Sequence, residues 1–110
     1  MPYRVHGTVV EAETGHPVEG LRVRAYDGDF VFDDLLGEAR TDAEGRFEVI
    51  FTEVDFQDFL ETRPDVFIRV LDPDGKQVLL DLRRERRQNA RSDERFDVRL
   101  PASLLPGSAS

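Results

Sequence analysis

Apolar and polar residues alternate with a period of two along most of the chain, the pattern of strands that bury one face. Tyr3, Val5 and Val9 share one side of a first strand, with Arg4, His6 and Thr8 on the other. Leu21, Val23 and Ala25 alternate with Arg22, Arg24 and Tyr26 in a second, and a short third is predicted over Gly37 to Thr41. Phe47, Val49 and Phe51 point inward from a fourth strand, and Val66, Ile68 and Val70 from a fifth. Val78, Leu80 and Leu82 face inward from a sixth, and Phe96, Val98 and Leu100 from the last, which Pro101 stops.

Turn chemistry separates these runs. Thr14-Gly15-His16-Pro17, Asp42-Ala43-Glu44-Gly45 and Asp72-Pro73-Asp74-Gly75 each supply residues suited to tight turns, with Gly45 and Gly75 placed where a positive φ is tolerated. The chain is thus predicted to be all-β, a seven-stranded Greek-key sandwich over residues 1–102. One stretch breaks the alternation. Phe56, Phe59 and Leu60 stand at i, i+3 and i+4, and Thr52 is placed to cap with Asp55 three residues on. This predicts one short helix near 53–62, ended by Arg63-Pro64 and lying over an open end of the sandwich. Residues 103–110 read as a flexible tail.

The order of several short segments is similar to the transthyretin-like and carboxypeptidase-regulatory-like domains. The residues that carry the likeness are Gly7-Thr8-Val9, Thr14 to Gly20, Val23-Arg24-Ala25-Tyr26-Asp27 and Asp33 to Gly37, then Thr41 to Phe47 and Arg63 to Phe67. It spans about residues 3 to 100, and its nearest look is to the bacterial transthyretin-like and nematode transthyretin-related branches. The resemblance implies a prealbumin-like sandwich used as an accessory, stalk or binding module. One branch of that superfamily hydrolyses hydroxyisourate, and Thr41 to Arg46 resembles its turn with a functional arginine, here Arg46. Thr8 stands where that branch has an early histidine, His6 is two residues out of register, and no histidine follows His16. The closing Tyr-Arg-Gly-Ser of that branch is absent too. The expectation is therefore that the chain is not an enzyme, with hydroxyisourate hydrolysis as a remaining alternative and Arg46 as a surface charge.

Composition narrows the setting. The 110 residues include no cysteine, which removes disulfides and thiolate metal sites. A net charge of −8 argues against nucleic acid as a partner, since phosphate contacts need a basic footprint. No apolar run approaches the length of a membrane span and no signal segment is evident, so a cytoplasmic location is the default expectation. Charge is unevenly spread: Asp27 to Asp65 is rich in acids, whereas Arg83, Arg84, Arg86, Arg87, Arg91 and Arg95 form a later basic run. That run reads as a solvated loop, as a handle for a partner, or as protection for a strand edge.

The densest candidate chemistry is the loop Asp27 to Gly37. Asp27, Asp29, Asp33 and Asp34 lie close together there, and calcium takes six to eight oxygens from such bendable segments. The stretch is similar to the third calcium loop of C2 domains, which implies Asp27, Asp29 and Asp34 as ligands, with Phe30-Val31-Phe32 at the tip. The alternative is that these carboxylates cap loop N–H groups. His6 and His16 have no second histidine at i+2 or i+4, and no serine has a histidine and an acid near it in sequence. The leading expectation is a module that engages a protein partner through its loops, an edge strand or an outer face, with calcium binding as the alternative. Phe67, Leu71 and Leu79, nominally outward, suggest an apolar patch for a partner or a second copy.

Overall fold

The computed structural model describes residues 2–28, 33–52 and 64–106, and these form two β-sheets. The strands are β1 (Tyr3–Glu11), β2 (Arg22–Gly28), β3 (Asp33–Arg40), β4 (Arg46–Phe51), β5 (Val66–Leu71), β6 (Val78–Asp81) and β7 (Asp93–Leu100). One sheet has the order β4-β1-β7 and the other β3-β2-β5-β6. All pairings are antiparallel except β1 with β7, which run parallel in register from Arg4 opposite Asp93 to Glu11 opposite Leu100. The helix expected near 53–62 lies outside the described residues.

Alternation sets the core. Val5, Val9, Phe47, Val49, Phe51, Phe96, Val98 and Leu100 face inward from one sheet, and Leu21, Val23, Ala25, Val66, Ile68 and Val70 from the other. A sandwich of this thickness needs both inner faces apolar. The turns close as their residues dictate. In the β3–β4 turn the Asp42 carboxylate accepts the N–H groups of Glu44 and Arg46 at 3.0 and 2.8 Å, and Gly45 takes φ +75°. In the β5–β6 turn the Asp72 carboxylate accepts from Lys76 and Gln77, and Gly75 takes φ +71°.

Four details differ from the sequence reading. β3 starts at Asp33, four residues before the predicted Gly37, because the aspartate-rich segment pairs with the end of β2. Val78 is exposed where it was expected inward, since the β5–β6 pairing slips by a bulge between Val70 and Leu71. Phe67 and Leu71 form no exposed patch: both are buried, although they lie outside the main core. Phe67 stacks on Tyr26 with ring centroids 5.4 Å apart, and the guanidinium groups of Arg69 and Arg83 lie over it at 5.1 and 5.2 Å. After β7, Ala102–Leu104 make one 3-10 turn and Leu105 packs against the core.

Candidate functional site

The outer face of the β4-β1-β7 sheet gathers the polar halves of three alternating strands. β1 contributes Arg4, His6 and Thr8, β4 contributes Arg46 and Glu48, and β7 contributes Asp93, Arg95, Asp97 and Arg99. Register brings His6 opposite Glu48 on one side and Arg95 on the other, and Thr8 opposite Arg46 and Asp97. An open hollow of about 620 Å³ lies along this face, lined among others by Arg4, His6, Thr8, Arg46, Glu48 and Arg95.

Hydrogen bonds order these groups. His6 Nε2 lies 2.7 Å from Asp93 Oδ1, and the histidine side chain is only 16% exposed. Arg4 bridges Glu48 and Asp93. The Thr8 hydroxyl donates to Asp97 at 3.1 Å, and Arg95 Nε reaches both oxygens of the same carboxylate at 3.0 Å. Arg46 is flanked within its own turn by Asp42 at 3.5 Å and Glu44 at 3.4 Å. Hydrogen bonding to His6, then to Arg4, holds the Asp93 carboxyl below the usual carboxylate range. Arg95 and Thr8 do the same for Asp97, and the backbone N–H groups of Arg46 and Glu44 for Asp42. These acids stay ionised at neutral pH and keep the face a network of paired charges.

The aspartate segment is arranged differently. Asp27 follows Val23 and Ala25 on the inner face, is 1% exposed, and accepts the Asp65 N–H at 3.0 Å. Asp33 sits on the outer face of its sheet, where Arg69 approaches at 3.1 Å and Arg83 binds it. The hydrogen bond from Arg83, then that from Arg69, lowers its pKa. Asp34 is exposed, and Asp29 lies outside the described residues. Asp27 and Asp33 therefore point to opposite sides of one sheet. Among the described residues no three or more His, Cys, Asp or Glu side chains gather as a metal ion requires. The basic run is dispersed as well: Arg83 serves Asp33, and Arg87 lies over Phe96 at 4.2 Å and donates to the Arg95 carbonyl.

Sequence reading missed the outer-face cluster. It sought a second histidine near each histidine along the chain, whereas the partner of His6 is an acid, Asp93, which reaches it across 87 residues through the parallel β1–β7 contact. Outward alternation of Arg4-His6-Thr8 against Asp93-Arg95-Asp97 was the available signal, and only the pairing of the first and last strands gives it meaning.

Among the described residues no helix is long and apolar enough to cross a membrane. No known protein family matches the sequence, and no curated protein does. Solved structures do. A 9R-lipoxygenase from Cyanothece PCC8801 is similar over 88% of this chain, at 21% identity and a TM-score of 0.64. The chain spans 16% of the length of that lipoxygenase. The dioxygenase domain of a dioxygenase carbohydrate-binding protein fusion from Streptomyces sp. SirexAA-E is similar over 91% of this chain and 79% of its own, at 19% identity and a TM-score of 0.52. At these identities the likeness is one of fold. It overturns the expectation that the chain is not an enzyme, because chains named as enzymes carry this fold. That expectation rested on the missing histidines and closing motif of the hydrolase branch, and on no serine having a histidine and an acid near it in sequence.

Proposed function

We propose that this chain is a transthyretin-like Greek-key sandwich that serves as a binding or accessory module, and that the outer face of the β4-β1-β7 sheet meets an acidic segment of a partner protein. The strand order supports the Greek-key reading, since the connections from β1 to β2, β3 to β4, β4 to β5 and β6 to β7 all pass between the sheets. Likeness to a sixth of a lipoxygenase chain agrees with a unit that occurs inside longer proteins. The observation that carries the binding site is the hollow itself. Arg4, Arg40, Arg46 and Arg95 line it with Asp42 and Glu48, on a chain whose net charge is −8, and an acidic partner would compete with Glu48, Glu44 and Asp97 for Arg4, Arg46 and Arg95. Arginine forks suit carboxylates in two-point contacts.

The test is a titration of the labelled protein with a hexaglutamate peptide, followed by backbone amide shifts. Shifts should concentrate on β1, β4 and β7, and replacing Arg46 and Arg95 by alanine should abolish them. Shifts confined to the β3-β2-β5-β6 sheet would sink the assignment, as would hexalysine acting equally well.

A second reading, hydrolysis of hydroxyisourate, draws on the His6–Asp93 pair beside Arg46 and Arg95. A carboxylate that orients an imidazole fits general-base activation of water. Thr8, where the hydrolase branch has histidine, is bonded to Asp97. Turnover of hydroxyisourate that disappears in His6→Ala would favour this reading, and the absence of turnover would close it.

A further inference from the structure

We infer that the open edge of β7 is a self-complementary surface that pairs antiparallel with β7 of a second copy. β7 ends its sheet, with β1 on one side and, among the described residues, no strand on the other. The carbonyls of Ser92 and Leu100 accept from Arg4 and Ala12 of the β1 side at 2.8 and 2.9 Å. By the alternation of a strand, Asp93, Arg95, Asp97 and Arg99 then turn their N–H and C=O groups to the open edge. An edge of this length is a template for another strand.

Charge selects the occupant. The exposed side chains along β7 are Asp93, Arg95, Asp97 and Arg99, alternating in sign. Antiparallel pairing with Phe96 facing its own copy sets Arg95 opposite Asp97 of the second chain and Asp93 opposite its Arg99. Each of the four outer-face pairs is then of opposite charge. A slip of two residues one way sets Asp97 against Asp97 and Arg95 against Arg99, and a slip the other way sets Arg95 against Arg95 and Asp93 against Asp97. Like charges directly opposed are unfavourable, so one register stands out.

The inner side of the same edge agrees. A hollow of about 170 Å³ opens between β6 and β7, lined by Leu80, Leu82, Phe96 and Val98 and by the charged Glu85, Arg87, Asp97 and Arg99. Pairing would cover Phe96 and Val98 where they line this opening. Arg87 Nη2 now donates to the Arg95 carbonyl at 3.1 Å, and a backbone N–H of the second copy would take that place. Pairing therefore competes with Arg87 and depends on concentration. The product is one sheet of order β4-β1-β7-β7-β1-β4, with the 620 Å³ hollows of the two copies on its outer face.

Sedimentation of the full chain over a concentration series tests this, with folding of every variant checked by circular dichroism. The expected species is a dimer that weakens with added salt. Arg99→Glu should weaken it at least tenfold, and Arg95→Asp likewise, whereas Arg95→Asp with Asp97→Arg should restore it. Because the chain has no cysteine, register can be read by cross-linking. A mixture of Arg95→Cys and Asp97→Cys chains should form the intermolecular disulfide, and neither alone should. A monomer at millimolar concentration overturns the proposal, as does a dimer indifferent to Arg99→Glu or a disulfide within either single variant.

Discussion

His6 Nε2 stands 2.7 Å from Asp93 Oδ1, joining the first and last strands across 87 residues of sequence. The contact exists because β1 and β7 run parallel, with His6 two residues along from Arg4, the partner of Asp93, on the same outer face. It joins the first and last strands and supplies the half-buried imidazole of the candidate site with an orienting acid.

Strong acid should loosen this joint. The Asp93 pKa is lowered by its hydrogen bond with His6 and then by Arg4. A carboxyl whose folded pKa is depressed adds stability above its unfolded value of about 3.9, and loses it as pH falls through the folded value. Thermal midpoints of the wild type and Asp93→Asn, measured from pH 7 down to 2, should therefore differ most near neutrality and converge below pH 3. A constant gap across that range would mean that the carboxylate charge contributes nothing to stability.

Asp33 is an ion-pair hub. It is shared by Arg69 and Arg83, and its side chain is 20% exposed. Asp33→Ala should cost about 1–2 kcal/mol, on the scale of charged hydrogen bonds partly open to solvent. That corresponds to a fall of roughly 5–10 °C in a domain of this size. Calcium at this carboxylate would have to displace two guanidinium groups. Melts of the wild type in EDTA and in millimolar calcium are therefore expected to coincide. A calcium-dependent rise of roughly ten degrees would restore the calcium reading of the aspartate segment.

The strands were legible in the sequence because burial on one face writes itself as alternation. Val5 and Val9, Val23 and Ala25, Phe47, Val49 and Phe51 all lie where period two puts them. Phe67 was not legible. Its position reads as outward, and only the arginines above it, with Tyr26 beside it, make that face a second buried layer. The aspartate segment misled for a related reason. Closeness along the chain suggested convergence, but β2 and β3 pair through it, which sends Asp27 inward and Asp33 outward. The site itself needed the β1–β7 pairing, which no local pattern specifies.

Phe67 offers a direct check on that second layer. It is fully buried beneath Arg69 and Arg83, so Phe67→Ala should destabilise the fold by about 3–4 kcal/mol, as for a buried aromatic. Denaturant melts would read this as a lower midpoint with a similar slope. Loss of less than about 1 kcal/mol would mean that the ring behaves as a surface group.

Gly7 tests the closest backbone approach in the sandwich. A Cβ at this position would lie 1.7 Å from the carbonyl oxygen of Phe96 and 2.6 Å from its carbon. Both belong to the backbone of β7, which the parallel ladder holds in register with β1, so no side-chain rotation can relieve the clash. The strands would have to part between the residues that position His6 and Thr8 against Asp93 and Asp97. Gly7→Ala should therefore cost about 2–3 kcal/mol, at the upper end of what overpacking costs. It should also weaken amide-exchange protection along β1 and β7 more than along β5. Equal protection in all three strands would mean that the sheet accommodates the methyl group, and that the β1–β7 contact is looser than its geometry implies.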